Sequence, residues 1–272
     1  MAFVLQKDAK GVARYGTFSI FPGDLVVHAI STRFGGVSKA PFASMNLTLH
    51  VGDDAADVEE NRRRFLGWLG LDFERLTTPE QVHGDEILRV GEKEAGRGRL
   101  SYADAIPGTD ALMTDEPGVP LMLCFADCTP ILLFDPVRRA AAIAHGGWKG
   151  TVRSIAAKTV RAMADAFGTR PEACLAAIGP AIGPCCYEVG DEVAEAFRKA
   201  FPEYKEDILL ERNGKIHLDL WKANRLQLEE AGLLPEHIDA ADVCTSCHAE
   251  TFFSYRAEGP TTGRIAAVMA VR

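Results

Sequence analysis

Residues 121–150 read LMLCFADCTPILLFDPVRRAAAIAHGGWKG and contain three short apolar runs separated by turn-forming residues. The runs span residues 121–125, 131–134 and 140–144. Short apolar runs punctuated by proline and glycine are typical of buried strands. Cys128 therefore lies at a break between two strands and His145 at the end of a third, where α/β proteins often place their chemistry.

Cys128 and His145 allow two kinds of site. Cysteine and histidine are common zinc ligands, and a thiol beside an imidazole is also the nucleophile pair of cysteine enzymes. This stretch alone leaves both interpretations open.

The composition is that of an ordinary globular protein. Its 272 residues are 47% hydrophobic and 25% charged, which is enough to bury a core without disulfides. The net charge is −8 and no basic block occurs, so we expect neither nucleic acid nor a membrane as a partner. An anionic small molecule stays compatible with this charge, because local arginine and lysine placement decides anion binding. Without a repeat or a shift in composition, we predict a single domain over residues 1–272.

The first residues, MAFVLQKDAKGVARYGTF, show no signal-peptide pattern. No apolar stretch reaches the ~18 residues of a membrane span. We therefore expect a cytoplasmic protein whose seven cysteines are reduced and available for metal binding or catalysis. We also expect a monomer, although the oligomeric state does not follow from these patterns.

Strand and helix patterns alternate along the rest of the chain, which predicts a mixed α/β fold. Further strands are predicted at 25–32, 87–90, 111–114, 173–178, 217–218, 252–256 and 265–271. Helices are predicted at 55–69, 151–167, 191–201 and 219–231. Arg33 follows the first of these strands and precedes Gly35 and Gly36, which puts a cation beside backbone that a ligand can approach closely.

Four other cysteines form two close pairs in the sequence. Cys185 and Cys186 are adjacent, whereas zinc-chelating cysteines usually have at least two residues between them. Cys244, Cys247 and His248 match the haem-attachment pattern C-x-x-C-H, but that chemistry belongs to exported proteins. Since no second ligand pair is evident nearby, we expect these thiols to pack as small apolar groups.

A set of motifs over most of the chain resembles the YfiH-type laccase-domain family. They are STRFGGVS (31–38), SMNLTLHVGDD (44–54), QVHG (81–84), GTDALMT (108–114), ADCTPILL (126–133), AHGGWKG (144–150), GPAIGPCCYEVG (179–190), HLDLWKAN (217–224) and FFSYR with TGR (252–264). Members of this family, once described as multicopper polyphenol oxidases, are regarded as purine nucleoside phosphorylases with adenosine deaminase activity. Some bacterial members are also called peptidoglycan editing factors.

The resemblance implies an α/β sandwich of mixed sheets flanked by helices, distantly similar to cysteine hydrolases. It also implies one zinc ion bound by His83, Cys128 and His145, with purine nucleoside and phosphate as substrates. Three protein ligands leave an open position, which is typical of a catalytic zinc site. Such a zinc would activate a water molecule for attack on C6 of adenine. Copper is less favoured, because the chain has seven histidines and no H-x-H pair.

Further roles follow as hypotheses from this chemistry. Arg33 is the expected phosphate ligand, because a guanidinium matches phosphate oxygens with two parallel bonds. The amides near Gly146 and Gly147 would complete an anion pocket. Asp127 would carry a proton or orient a metal-bound histidine. The expected hydrogen-bonding partners of the substrate are Gln81 and Asn46.

Two alternatives belong to other functional classes. One is a hydrolase that removes a wrongly incorporated amino acid from a nucleotide-linked muramyl precursor, using either Cys128 with His145 or a zinc-activated water. The other is a non-enzymatic partner protein in which the metal is purely structural. In the zinc interpretation Cys128 is a ligand and is not free to attack.

Overall fold

The computed structural model describes residues 3–272, in which strands and helices alternate along the chain. The strands are β1 (Phe3–Lys7), β2 (Ala13–Phe18), β3 (Val26–Ser31), β4 (Ile87–Arg89), β5 (Ala111–Thr114), β6 (Leu121–Phe125), β7 (Thr129–Asp135), β8 (Ala140–Gly146), β9 (Leu175–Ile178), β10 (Glu188–Val189), β11 (Leu209–Arg212), β12 (Lys215–Leu218), β13 (Ile238–Ala240) and β14 (Ile265–Val271). The helices are α1 (Ala55–Leu69), α2 (Trp148–Val152), α3 (Ile155–Phe167), α4 (Asp191–Ala200), α5 (Lys205–Ile208), α6 (Leu220–Glu230) and α7 (Tyr255–Glu258). Each helix in this part of the chain is too short or too polar to cross a bilayer.

The strands form two large sheets and one small one. The five-stranded sheet has the order β1-β2-β3-β14-β6 and is antiparallel throughout. The six-stranded sheet has the order β13-β9-β7-β8-β5-β4, with parallel pairs at its two edges. The small sheet has the order β10-β12-β11. The predicted α/β class with mixed sheets is thus confirmed.

The two large sheets pack face to face, and the chain passes from one to the other between β6 and β7. Leu123 of β6 shares a buried cluster with Leu132 of β7 and Ile143 of β8. The neighbouring Met122 points to the other side of its sheet and packs with Phe65 of α1. The far face of the six-stranded sheet is covered by α3 and α6. Because both faces of the central strands are covered, their sequences are continuously apolar.

Two predicted elements are wrong. The helix expected over 151–167 is divided into α2 and α3, because Ser154 has a φ of 64° and its N–H bonds to the Thr151 carbonyl at 2.9 Å. A left-handed residue interrupts a right-handed helix. The strand expected over 252–256 is a buried turn leading into α7, where the Ser254 hydroxyl accepts a hydrogen bond from the Ala257 N–H at 3.2 Å. The strands β1, β2, β10, β11 and β13 were not predicted.

Candidate metal centre and its cavity

His83, Cys128 and His145 meet at one end of the sandwich. In the antiparallel pairing of β7 with β8, Pro130 lies opposite His145 and Thr129 lies opposite Gly146. Cys128 directly precedes Thr129, so it lies next to the end of β8. His83 comes from a turn before β4, with a φ of 59°. The ligand atoms of the three residues all lie within 4.8 Å of one another. The structure therefore brings together the triad that the family resemblance implied.

Asp110, which the sequence analysis missed, holds two of these residues in place. Its Oδ1 accepts hydrogen bonds from His145 Nδ1 at 2.8 Å and from the His83 N–H at 3.0 Å. Its Oδ2 accepts from the N–H groups of Val82 and Gly84 at 3.1 and 2.6 Å. With Nδ1 engaged, His145 has its Nε2 left for Cys128 or a metal. The GTD motif at 108–110 could have indicated this role, because it places a carboxylate at the start of a buried strand.

The electrostatics of the site favour a thiolate. Burial raises the pKa of the Cys128 thiol, but the charges and hydrogen bonds of His145 and His83 outweigh it and lower the pKa to about 6. Burial lowers the pKa of His145, but Cys128 and Asp110 outweigh it and raise the pKa. The thiolate is the form that binds metals and attacks electrophiles.

The three side chains fit a zinc ion. One thiolate and two imidazoles are a common zinc donor set, with bonds of ~2.0–2.3 Å and hence distances of ~3.3–3.6 Å between tetrahedral ligand atoms. Gly147 closes the site from one side, where a Cβ would lie 3.1 Å from Cys128 Sγ and 3.2 Å from His83 Cδ2. A side chain at position 147 would therefore require the ligands to shift by a few tenths of an ångström.

A cavity of about 500 Å³ opens beside the triad, which is within the ~300–1,000 Å³ of small-molecule sites. Its lining residues are His50, Gln81, His83, Cys124, Ala126, Asp127, Cys128, His145, Trp148, Ile182, Tyr187, Leu220, Tyr255, Arg256 and Arg264. Two arginines and one carboxylate give this cavity a cationic character in a chain whose net charge is −8. Its aromatic and aliphatic walls suit a flat, partly apolar ligand.

Gln81 and Asp127 line this cavity, but hydrogen bonds within the protein engage both side chains. The Gln81 side-chain amide pairs with the backbone of Cys124 through bonds of 2.9 and 2.8 Å. The Asp127 carboxylate accepts bonds from the hydroxyls of Thr245 and Ser254 at 2.6 and 2.7 Å, and from the Arg256 N–H at 2.6 Å. Asp127 thus joins three segments of the cavity wall.

Arg33 and Asn46 do not line the cavity. The Arg33 guanidinium pairs with Glu258 at 2.8 Å and lies over the Phe253 ring at 4.5 Å. Asn46 is fully buried and accepts the Arg264 N–H at 3.0 Å. The arginines on the cavity are Arg256 and Arg264, which the sequence analysis did not single out although they lie within the FFSYR and TGR motifs.

Gly146 and Gly147 lie at the end of β8, next to the triad. Gly146 pairs with Thr129 of β7, and Gly147 precedes α2. The Gly147 N–H donates to the His145 carbonyl at 3.0 Å, so this amide has a partner within the chain.

The expectation that the four remaining loop cysteines pack as apolar groups is wrong for two of them. Cys185 and Cys247 are exposed, while Cys186 is half-buried and Cys244 is buried. The sulfur atoms of all four lie within 4.8 Å of one another. Two pairs that are distant in sequence thus form one cluster.

An α/β sandwich with a His–Cys–His group beside a cationic cavity defines a class of candidate metalloenzyme, and the comparisons with known proteins identify the family. Residues 27–272 match the family described as multi-copper polyphenol oxidoreductase laccase. The chain therefore belongs to the YfiH-type laccase-domain family, which confirms the resemblance drawn from the motifs.

Similar proteins carry enzyme names. The chain is 44% identical over 273 residues to a protein of Geobacillus stearothermophilus named purine nucleoside phosphorylase YlmD, covering 100% of this chain and 98% of that one. The crystal structure of YlmD from Geobacillus stearothermophilus superposes with a TM-score of 0.91 at 43% identity, covering 98% of each chain. A protein of an unknown prokaryotic organism, named as an adenosine deaminase, is 37% identical, covering 88% of this chain and 91% of that one.

Proposed function

We propose that this chain is a zinc-dependent purine nucleoside phosphorylase that cleaves adenosine, inosine and methylthioadenosine and also deaminates adenosine. The observation that carries the proposal is the His83–Cys128–His145 group at the wall of a cationic, aromatic-lined cavity. The names of the relatives agree with the activity.

His83, Cys128 and His145 would hold the zinc, with Asp110 orienting His145. When bound, zinc supplies Lewis-acid chemistry that activates water near neutral pH. We favour zinc because one thiolate and two imidazoles at the wall of an open cavity match a catalytic zinc site with three protein ligands.

Arg264 is the side chain that we assign to phosphate. Its Nη1 donates to the carbonyls of Thr262 and Gly263 at 2.8 and 2.9 Å, which fixes the guanidinium. Nε and Nη2 have no acceptor among residues 3–272, so two N–H directions stay available for an anion. This assignment replaces Arg33, whose guanidinium is engaged away from the cavity.

Arg256 gives the cavity a second positive charge. Its guanidinium donates to the carbonyls of Cys186 and Glu188 at 3.0 and 3.1 Å and lies 5.3 Å from the Tyr187 ring. Asp127 binds the Arg256 N–H, so we assign Asp127 the positioning of this wall.

The purine would lie against the apolar part of the cavity. Trp148, Tyr187 and Leu220 offer flat or aliphatic surface there. His50 is neutral near pH 7, because burial and the nearby charges of Arg264 and Arg62 lower its pKa to about 4. A neutral imidazole suits hydrogen bonding to a ribose hydroxyl.

The test is product analysis of metal-loaded protein with adenosine, with and without phosphate. Ribose 1-phosphate should appear only with phosphate, and inosine with or without it. Arg264→Gln should raise the KM for phosphate ~10–100-fold, as expected for a lost charged hydrogen bond, while deamination without phosphate changes much less. The exposed Arg161 of α3 provides the matched control, Arg161→Gln. If no purine nucleoside is converted by the loaded protein, the proposal fails.

A second candidate is the hydrolase that edits cell-wall precursors, with Cys128 as nucleophile and His145 as base. The lowered pKa of Cys128 supports it, because a thiolate is the attacking form. Metal removal separates the two proposals. In the first proposal, the metal-free protein should no longer convert purine nucleosides. In the second, the metal-free protein should still release an amino acid from a nucleotide-linked muramyl substrate.

The proposal includes a cytoplasmic location and a monomeric state. Seven free cysteines suit a reducing compartment. Light scattering of the purified protein would test the monomer.

A further inference from the structure

Four cysteines form a compact cluster outside the triad. Cys185 and Cys186 lie in the loop between β9 and β10, and Cys244 and Cys247 follow β13. The Cys247 sulfur lies 3.5 Å from Cys185 Sγ and 3.4 Å from Cys186 Sγ. All four sulfur atoms lie within 4.8 Å of one another.

These distances suit a single ion better than the other uses of four thiols. A tetrahedral ion with metal–sulfur bonds of ~2.3 Å has sulfur–sulfur edges of ~3.8 Å. A disulfide requires two sulfurs at ~2.05 Å and leaves the other two without a role. An iron–sulfur cluster spreads its cysteines over several irons and so needs them further apart than one ion does.

Backbone hydrogen bonds hold one sulfur and both loops of the cluster in place. The Gly183 N–H donates to Cys244 Sγ at 3.2 Å. The two loops are joined by the Ala181 N–H to the Val243 carbonyl at 3.2 Å and by the Thr245 N–H to the Ala181 carbonyl at 3.0 Å. Hydrogen bonds to a sulfur stabilise its charged form. Backbone hydrogen bonds therefore hold the two cysteine pairs close to each other.

We propose that Cys185, Cys186, Cys244 and Cys247 bind one Zn²⁺ ion in a structural site separate from the His–Cys–His centre. Four protein ligands close the coordination shell, which is the pattern of a structural zinc. Binding displaces the thiol protons to solvent, since zinc takes cysteine as thiolate. Adjacent cysteines are an unusual pair of ligands, but here their sulfurs converge with the C-x-x-C pair.

The proposed ion would hold the cavity wall together. Tyr187 follows Cys186 directly and lines the cavity. Arg256 donates to the Cys186 carbonyl at 3.0 Å, and Thr245, next to Cys244, donates to Asp127 at 2.6 Å. Both loops of the cluster thus contact residues of the cavity, although the proposal does not depend on the reaction carried out there.

Metal content tests the proposal on the full chain. Protein purified with zinc should contain two zinc ions per chain, and the variant Cys128→Ala should retain one. Cys247→Ser should also retain one, since it removes an exposed ligand whose loss creates no cavity in the core. Cys174→Ala removes a buried thiol outside both clusters and should retain two.

Cobalt identifies the ligands of the remaining ion. In Cys128→Ala loaded with Co²⁺, a tetrahedral spectrum with strong thiolate-to-metal charge transfer is expected. That band should be lost when Cys247→Ser is added. Zinc should also protect Cys185 and Cys247 from alkylation, and a chelator should remove the protection.

Three results would overturn the proposal. The first is a Cys128→Ala protein that is folded and binds no zinc or cobalt. The second is a cobalt spectrum without charge transfer from several thiolates. The third is an intact mass that is lower than that of the reduced chain by two hydrogen atoms, with Cys247 in a disulfide. If Cys247→Ser fails to fold, the alkylation of wild-type protein with and without chelator still decides between these outcomes.

Discussion

Replacing Asp110 by asparagine should weaken both metal binding and the fold, and the hydrogen bonds of the carboxylate set the size of the effect. Each of its oxygens accepts two bonds, from His145 Nδ1 and the His83 N–H at Oδ1, and from the N–H groups of Val82 and Gly84 at Oδ2. An amide has one oxygen, so in either orientation one buried and one partly buried donor lose their acceptor. At ~1–3 kcal/mol for each unsatisfied donor, the loss of stability is ~2–6 kcal/mol.

Zinc affinity should fall as well. Removing the partner of a metal-bound histidine typically lowers metal affinity ~10–100-fold. In Asp110→Asn the effect has two sources, because Asp110 contacts the ring of His145 and the backbone of His83. Competition with a chelator of known affinity measures the zinc Kd, and urea unfolding of the metal-free protein measures stability.

Asp135→Asn is the matched control. Asp135 is also buried, but its Oδ1 accepts both of its bonds, from the N–H groups of Val137 and Arg138 at 2.8 and 3.0 Å. An asparagine can keep both bonds, so this variant should lose little. If Asp110→Asn binds zinc as tightly as Asp135→Asn does, the orienting role of Asp110 is refuted, whatever happens to stability.

Three further predictions concern local geometry and pH. Gly147→Ala should lower zinc affinity ~10-fold, because the new Cβ would lie 3.1 Å from Cys128 Sγ. Competition with a chelator measures the affinity. The control Gly190→Ala, whose Cβ would meet nothing within 4 Å, should leave the affinity unchanged. Ser154→Gly should stabilise the protein by ~0.5–1 kcal/mol in urea unfolding, because glycine adopts the left-handed φ of 64° without the strain of a side chain. A loss of stability would contradict this explanation of the break between α2 and α3. Burial lowers the pKa of His28 from 6.5 to about 4. Below pH 6.5 the unfolded chain therefore takes up a proton that the folded chain does not, and the free energy of unfolding falls as the pH falls towards 4. At pH 5 the loss is about 2 kcal/mol relative to pH 7.5; urea unfolding at the two pH values measures it, and the variant His28→Gln should not show it.

Features determined by neighbouring residues were predicted well from the sequence. Strand β6 and helix α1 have the predicted limits. Asp54 caps α1 by accepting the Ala56 N–H at 2.9 Å, and Gly70 ends it with a φ of 66°. Capping residues and apolar runs act over one or two turns of chain, so their effect can be read locally.

Features that depend on distant residues could not be predicted in this way. Arg33 and Arg264 both lie within two residues of a glycine, yet the ion pair of Arg33 with Glu258 keeps Arg33 off the cavity. Cys185 and Cys247 lie far apart in the chain and meet only because β9 pairs with β13. The family resemblance identified the metal triad, whereas the residues by themselves pointed only to Cys128 and His145.

The passage of the chain between β6 and β7 couples the metal centre to both sheets of the sandwich. Cys128 sits on that passage, one residue before β7, while Phe125 at the end of β6 contacts the His145 ring at 5.4 Å. The three ligands are thus anchored at the six-stranded sheet, while the five-stranded sheet contributes Phe125 to the packing around His145. Loosening the contact between the sheets should therefore reach the metal centre through the His145 ring, so that the exchange rate of a bound ion reports on how firmly the two sheets pack.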